Sequence, residues 1–128
     1  MKKNRAFLKW AGGKYPLVDD IRRHLPAGDC LIEPFVGAGS VFLNTEYESY
    51  ILADINSDLI NLYNIVKDRT DDFVRDARVL FTGDFNNSEQ FYLLRQEFNA
   101  STDAYRRALL FLYLNRHCYN GLCRYNLS

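Results

Sequence analysis

The sequence predicts an α/β fold: an incomplete part with parallel strands, then a helical subdomain and a terminal hairpin. Two compact apolar runs, at residues 30–36 and 50–53, have the length of buried strands, and a glycine turn lies between them. From Thr70 onward the apolar residues recur at helical spacing only. Because a parallel pair needs further strands beside it and cover on both faces, we expect an incomplete domain with exposed apolar sheet faces.

The first predicted element is a short amphipathic helix over residues 15–25. Pro16 suits the first turn of a helix, and Pro26 stops one. The apolar positions at helical spacing are Leu17, Val18, Ile21 and Leu25.

A βαβ unit is predicted next. The strand over residues 30–36 breaks into the turn at residues 37–40, and residues 41–44 are helix-like. The second strand, over residues 50–53, ends at Asp54.

Helices alone are predicted after this unit, before a hairpin centred on Asn120-Gly121. Asn56 or Ser57 is positioned to cap a helix that continues through Lys67. Three further helices are predicted over residues 71–81, 88–98 and 103–116. We therefore divide the chain into residues 1–56, which hold the strands, and residues 57–128, which hold the helices and the hairpin.

The composition is that of a globular protein with basic ends. Of 128 residues, 48% are apolar and 25% charged, which excludes a disordered chain. The 16 basic and 16 acidic residues cancel, but residues 1–15 hold five basic residues and no acid, and residues 101–128 hold four Arg and one Asp. If the two basic ends meet in space, they form a positive face that could bind a polyanion. The alternative is that both ends are simply solvated, in which case their charge indicates no partner. The chain lacks an apolar stretch of membrane-spanning length, so we expect a cytoplasmic protein with no membrane partner.

The cysteines predict neither disulfides nor a metal site. Cys30, Cys118 and Cys123 are an odd number in a chain without an export signal, so free thiols are expected. Their spacing with His117 fits no common zinc motif.

A glycine turn and an acid suggest a ligand site. Gly37 and Gly39 follow a strand, where they let the backbone approach a ligand, and Asp54 ends the next strand, where a carboxylate suits a ribose diol. These residues predict a cofactor that carries a nucleoside, of open identity. The alternative is a tight turn with a capping Asp.

A second cluster, at residues 7–14, contains the only tryptophan. Trp10 offers a broad face for a purine or a sulfonium cation, and Lys14 could pair with a carboxylate. The segment is not a phosphate-binding P-loop, because Leu8 and Tyr15 replace residues that such a loop requires. The alternative is a core tryptophan beside surface lysines.

A third cluster, at residues 115–126, combines Arg, Tyr and Asn on the predicted hairpin. These residue types contact phosphates, stack on bases and read base edges, so they predict nucleic-acid binding, with an ordinary polar hairpin as the alternative. The sequence contains no recognisable catalytic constellation of Ser/His/Asp or Cys/His.

Taken together, residues 7–14, 33–40, 54–56 and 115–126 resemble, in the same order, motifs of the Dam family of adenine-specific DNA methyltransferases. The resemblance implies a Rossmann-like methyltransferase domain with a helical target-recognition region. It also implies transfer of the methyl group of S-adenosylmethionine to the exocyclic amine of a flipped adenine in duplex GATC. The complete enzyme would be a monomer.

The resemblance assigns residues to two sites. The cofactor-binding residues would be Trp10, Lys14, Phe35, Gly37, Ala38, Gly39 and Asp54. The residues that read or penetrate the DNA site would be Lys9, Tyr119, Asn120, Leu122 and Arg124, and those that contact its backbone would be Arg95, Arg116 and Asn126.

One motif of the family is absent. The Asp-Pro-Pro-Tyr signature, which accepts the hydrogen bonds of the adenine amine, occurs nowhere in these 128 residues. We therefore expect an N-terminal fragment that does not methylate DNA alone, and we assign no catalytic residue. The alternatives are a non-catalytic DNA-binding fragment and a nicotinamide-dependent oxidoreductase, although the latter needs a third glycine where Phe42 stands.

Overall fold

The computed structural model describes residues 2–118 and residue 121. The chain divides into two compact units, Met1–Ile55 and Asn56–Ser128, which we call unit 1 and unit 2. Unit 1 contains a helix and a small parallel sheet, and unit 2 is helical. This mixture of helices and a parallel sheet agrees with the predicted α/β class.

Unit 1 begins with the predicted short helix and contains both predicted strands. A 3₁₀ turn at Tyr15–Leu17 leads into helix α1, Val18–His24. Strands β1, Cys30–Glu33, and β2, Ser49–Leu52, pair in parallel, with Cys30 opposite Ser49 and Glu33 opposite Leu52. The strands are thus confirmed, although β1 ends before its apolar run does and β2 begins one residue before its run.

The connection between the strands corrects the predicted βαβ unit. Residues 41–44 form only a 3₁₀ turn, Phe42–Asn44, and not an α-helix. The Asn44 amide donates to the Ser40 carbonyl at 2.7 Å, and the Thr45 hydroxyl donates to the Val41 carbonyl at 2.9 Å. Because these two side chains take the carbonyls that would otherwise continue the helix, the helix ends after one turn.

The burial of the second strand differs from the prediction. It was predicted to be buried, yet Ile51 is 56% exposed and Ile32, its partner across the sheet, is 65% exposed. Within the described residues the sheet has two strands only. One face of the sheet is therefore an apolar surface, as expected for an incomplete domain, while Leu8, Val18, Val36 and Val41 form the small core of unit 1.

Unit 2 contains the four predicted helices. They are α2, Ser57–Asp68; α3, Thr70–Leu80; α4, Ser88–Ala100; and α5, Ala104–His117. Helix α5 packs against the other three. The largest side chains that are almost fully enclosed are Leu59, Leu62, Phe98, Leu110, Phe111, Tyr113, Leu114 and Asn115.

Local capping explains where three of these helices begin. The side chains of Asn56, Asn87 and Asp103 each accept a backbone N–H of the first turn of α2, α4 and α5 respectively. Each cap satisfies a donor that has no partner within its own helix. The predicted cap at Asn56 is thus confirmed.

A mostly buried ion pair joins three helices of unit 2. The Arg107 guanidinium on α5 donates to both carboxylate oxygens of Asp58 on α2, at 3.1 Å, and also to the carbonyls of Phe98 and Ser101 at the end of α4. The neighbouring Arg106 pairs with Glu97 in a more exposed position.

The predicted hairpin over residues 117–126 lies outside the described residues, apart from Gly121, Cys118 and His117, and His117 is the last residue of α5 and not part of a strand. Gly121 has φ +70°, and its carbonyl accepts a hydrogen bond from the buried Asn115 amide at 3.4 Å. Cys30 is a free thiol, as expected, and Cys123 lies outside the described residues. No helix in the described part of the chain has the length and apolar character needed to cross a membrane.

Candidate functional site

Unit 1 contains a cavity of about 190 Å³ at the end of the sheet where β1 and β2 terminate. Three segments contribute to its wall: residues 10–14 before α1, residues 35–40 after β1, and Asp54 after β2. Six of the seven predicted cofactor-binding residues line it, namely Trp10, Lys14, Phe35, Gly37, Ala38 and Asp54. The cavity therefore brings together residues that are more than forty positions apart in the sequence.

Gly39, the seventh predicted residue, shapes the turn and does not line the cavity. It has φ +84°, and its N–H donates to the Val36 carbonyl at 2.9 Å. This backbone conformation favours glycine, so Gly39 closes the turn that carries Gly37 and Ala38.

The Gly37 backbone lies directly against the indole ring of Trp10. Gly37 has φ +50°, and a Cβ atom at this position would be 3.1 Å from Cδ1 of Trp10. Both the backbone conformation and the close approach require glycine. The glycine turn thus lets the indole ring form one wall of the cavity.

Asp54 is held by the same turn. The Gly37 N–H donates to Oδ2 of Asp54 at 3.1 Å. Just before it, the Val36 N–H donates to the Ala53 carbonyl and the Ala53 N–H donates to the Glu33 carbonyl, both at 2.9 Å. These bonds continue the pairing of β1 and β2 past the strand ends, so the position of the carboxylate is fixed by the sheet. Sequence analysis left open that Asp54 only caps a tight turn. Asp54 does cap the glycine turn, and this contact also places its carboxylate at the cavity.

Lys14 is held at the cavity wall by two oxygens. Its ammonium donates to the Phe35 carbonyl and forms an ion pair with Oε1 of Glu33 at 3.4 Å. Glu33, the last residue of β1, is only 8% exposed. Burial raises the pKa of the Glu33 carboxyl, and the nearby Lys14 ammonium partly opposes this shift.

Sequence analysis did not assign Glu33 to the site. Its distance of nineteen positions from Lys14 follows no helical or strand period, so no local pattern could pair the two residues. The available signal was an acid inside the apolar run of the first predicted strand, because an acid that becomes buried needs a partner.

The chemistry of the cavity suits a nucleoside that carries a charged chain. The indole ring offers a face for an aromatic base or a cation, Asp54 offers acceptors for hydroxyl groups, and Lys14 offers a donor for a carboxylate. The glycine turn leaves room for a ligand close to the backbone.

The predicted DNA-binding residues are only partly described. Lys9 in unit 1 and Arg116 in the last turn of α5 are exposed, and the Arg95 guanidinium on α4 lies 5.4 Å from the centre of the Tyr92 ring. The other predicted residues, Tyr119, Asn120, Leu122, Arg124 and Asn126, lie outside the described residues.

Comparison with known proteins agrees with the resemblance. A family model described as "D12 class N6 adenine-specific DNA methyltransferase" matches residues 10–128.

Three curated proteins, each named "DNA adenine methylase", are similar over nearly the whole chain. The protein from Serratia marcescens is 89% identical over 127 residues, which are 99% of this chain and 47% of that protein. The protein from Escherichia coli K12 is 73% identical over 127 residues, 99% of this chain and 46% of that protein. The protein from Vibrio cholerae O1 (El Tor Inaba N16961) is 59% identical over 126 residues, 98% of this chain and 46% of that protein. The chain thus spans about half the length of the curated relatives that it matches.

Proposed function

The chain belongs to the D12 class of N6 adenine-specific DNA methyltransferases, and we propose that unit 1 is the S-adenosylmethionine-binding part of such an enzyme. Unit 2 is proposed to be its helical target-recognition region. The whole enzyme would transfer a methyl group to the exocyclic amine of adenine in duplex GATC. Unit 1 would then be the first part of a Rossmann-like methyltransferase domain.

The observation that carries this proposal is the convergence of Trp10, Lys14 and Asp54 on one cavity. When bound, S-adenosylmethionine supplies an electrophilic methyl group on a sulfonium. The chain's own residues bind and orient it: the indole ring takes the base or the sulfonium, Asp54 accepts from the ribose hydroxyls, and the Lys14 ammonium donates to the carboxylate.

We also propose that this chain of 128 residues does not methylate DNA by itself. Methyl transfer needs an acceptor for the hydrogen bonds of the adenine amine, and the family's Asp-Pro-Pro-Tyr segment is absent from these 128 residues. We therefore expect no methylation of GATC duplex by this chain in a labelled-methyl assay. Turnover above a no-protein control would show that catalytic residues lie within residues 1–128.

Calorimetry with S-adenosylmethionine and with NAD tests the binding proposal. We expect S-adenosylmethionine to bind more tightly, because the cavity has a single short glycine turn and no cradle for a pyrophosphate. Trp10→Ala and Asp54→Ala should each weaken binding by about 1–3 kcal/mol. Asp20→Ala is the matched control, since this exposed carboxylate on α1 pairs with Arg23 and does not line the cavity. Tighter binding of NAD would contradict the proposal.

A second candidate function is DNA binding without turnover. The exposed Arg116 in the last turn of α5, next to the predicted hairpin, favours it. If Arg116 contacts a phosphate, Arg116→Ala should weaken binding equally to GATC and to scrambled duplexes and reduce the salt slope by about one. If Arg124 reads a base, Arg124→Ala should cost roughly 1–3 kcal/mol on GATC duplex and little on the scrambled one. Equal losses on both duplexes for Arg124→Ala would contradict base reading.

A further inference from the structure

We propose that Glu33 determines the charge specificity of the cavity: by cancelling the charge of Lys14, it lets the site accept a cationic sulfonium in preference to a neutral thioether. This inference rests on the proposed function, because S-adenosylmethionine carries the sulfonium and loses its charge when the methyl group leaves. Glu33 would thus favour binding of the methyl donor over binding of its demethylated product, S-adenosylhomocysteine.

The geometry makes Glu33 a fixed countercharge. Its backbone is held by β1, and its carbonyl accepts the Ala53 N–H at 2.9 Å. One carboxylate oxygen, Oε1, lies 3.4 Å from the Lys14 ammonium, while the other is shielded from solvent and has no hydrogen-bond partner among the described residues. Among the described residues, Lys14 is thus the group whose charge the Glu33 carboxylate balances.

Lys14 has two roles with conflicting electrostatic demands. Its ammonium is the cavity's donor for the ligand carboxylate, but its positive charge repels a sulfonium in the same cavity. Lys14 and Asp54 are the charged side chains among the described residues that line the cavity. Because Glu33 pairs with Lys14 but does not line the cavity, it can neutralise Lys14 without competing for the ligand.

The expected effect follows from the size of the cavity. A volume of about 190 Å³ keeps a ligand charge close to Lys14. At separations of roughly 8–10 Å and an effective dielectric constant of about 25–35, the Coulomb energy corresponds to about a 5- to 15-fold change in affinity. A neutral thioether would not experience this repulsion.

The experiment measures the dissociation constants of S-adenosylmethionine and S-adenosylhomocysteine by calorimetry near pH 7, and it compares their ratio among variants of the full 128-residue chain. Glu33→Gln keeps the shape of the side chain and removes its charge. We expect it to reduce the preference for S-adenosylmethionine by about 5- to 15-fold. The variant should remain folded, because glutamine fills the same space and the Lys14 ammonium keeps its hydrogen bond to the Phe35 carbonyl.

Three further variants separate charge from structure. Glu33→Asp retains the charge and should keep the wild-type ratio to within about twofold. Lys14→Gln/Glu33→Gln removes both charges and should restore the ratio even though both ligands bind more weakly. Asp20→Asn removes a carboxylate elsewhere in unit 1 and should leave the ratio unchanged.

The outcomes distinguish the inference from the function on which it rests. If the wild-type chain binds both ligands but Glu33→Gln weakens both by the same factor, the inference is wrong and the proposed function stands. A ratio that stays low in the double variant would also overturn it, because Glu33 would then not act through Lys14. If the wild-type chain binds neither ligand, the proposed function fails, and the inference fails with it.

Discussion

The two units bury their apolar side chains to very different extents. In unit 2, Phe98 and Leu110 have no exposed surface and Phe111 is 1% exposed. In unit 1, Ile32 is 65% exposed and Phe35 is 72% exposed, although one lies in a strand and the other at the cavity.

The difference indicates that unit 2 contributes mainly to the stability of the chain and that unit 1 mainly forms the ligand cavity. Three helices packed around α5 give unit 2 a closed core, which is the main favourable contribution to folding. Unit 1 instead uses a few hydrogen bonds at the ends of two four-residue strands to hold three loops around a cavity. We therefore expect substitutions in unit 2 to act on the free energy of unfolding, and those in unit 1 to act mainly on the cavity.

The largest expected effect compares two phenylalanines. Phe111→Ala in α5 should reduce the free energy of unfolding by about 3–5 kcal/mol, because it leaves a cavity in a closed core. Phe35→Ala should change it by less than about 0.5 kcal/mol, because most of that side chain is exposed. Urea unfolding followed by far-ultraviolet circular dichroism measures both. Similar losses in the two variants would mean that unit 1 depends on Phe35 for packing.

A smaller effect compares two ion pairs within unit 2. Asp58→Ala should cost about 2–3 kcal/mol, because it leaves the Arg107 guanidinium without its partner in a mostly buried position. Glu97→Ala should cost at most about 1 kcal/mol, because the pair with Arg106 is more exposed. The same unfolding measurements apply. Equal costs would show that Arg107 is sufficiently satisfied by the carbonyls of α4.

The next effect compares two glycines of unit 1. Gly37→Ala should cost about 1–2 kcal/mol, because its positive φ is strained for alanine and the new Cβ would contact Trp10. Gly28 has no positive φ, and a Cβ atom added there would have no other atom within 4 Å, so Gly28→Ala is the matched control. It should be neutral or stabilise the chain by up to about 1 kcal/mol. If both variants are equally stable, the Gly37 turn adapts without strain.

The smallest effect is an opposite pH dependence of two glutamates. Burial raises the pKa of Glu33 above its ordinary value of 4.5, so its stabilising contribution is present below pH 4.5 and is lost as the pH rises through the folded-state pKa. The hydrogen bond from Arg106 lowers the pKa of Glu97, so its contribution is present above pH 4.5 and is lost as the pH falls through the folded-state pKa.

Gln variants test these two signs. Relative to the wild-type chain, Glu33→Gln should gain stability as the pH rises from 4.5 toward neutral. Above pH 4.5, Glu97→Gln should have a lower free energy of unfolding than the wild-type chain. This difference should shrink as the pH falls below 4.5. Unfolding in urea at several pH values measures both trends, and two trends of the same sign would contradict the assignment.

Unit 2 was predicted more accurately than unit 1 because its signals are local. The helices α2 to α5 were located to within two residues from their apolar periodicity and from capping residues such as Asn56. The helix-like pattern at residues 41–44 was misleading, because periodicity does not reveal that Asn44 and Thr45 bond to backbone carbonyls.

The candidate site was predicted in part. Trp10, Lys14 and Asp54 were selected by residue type and by resemblance, and all three line the cavity. The Glu33 partnership with Lys14 was missed because it depends on how a loop folds over the end of a strand. The functional roles of all these residues stay predictions until binding is measured.

The contact between Trp10 and Gly37 also has a practical consequence. The chain has one tryptophan, which lies in unit 1, whereas most of its helical residues lie in unit 2. Indole fluorescence therefore reports on the first unit, and the 222 nm ellipticity reports mainly on the second. Coincident melting curves from the two probes would indicate one cooperative transition, and separate curves would show that the ligand cavity can open while the helical unit remains intact.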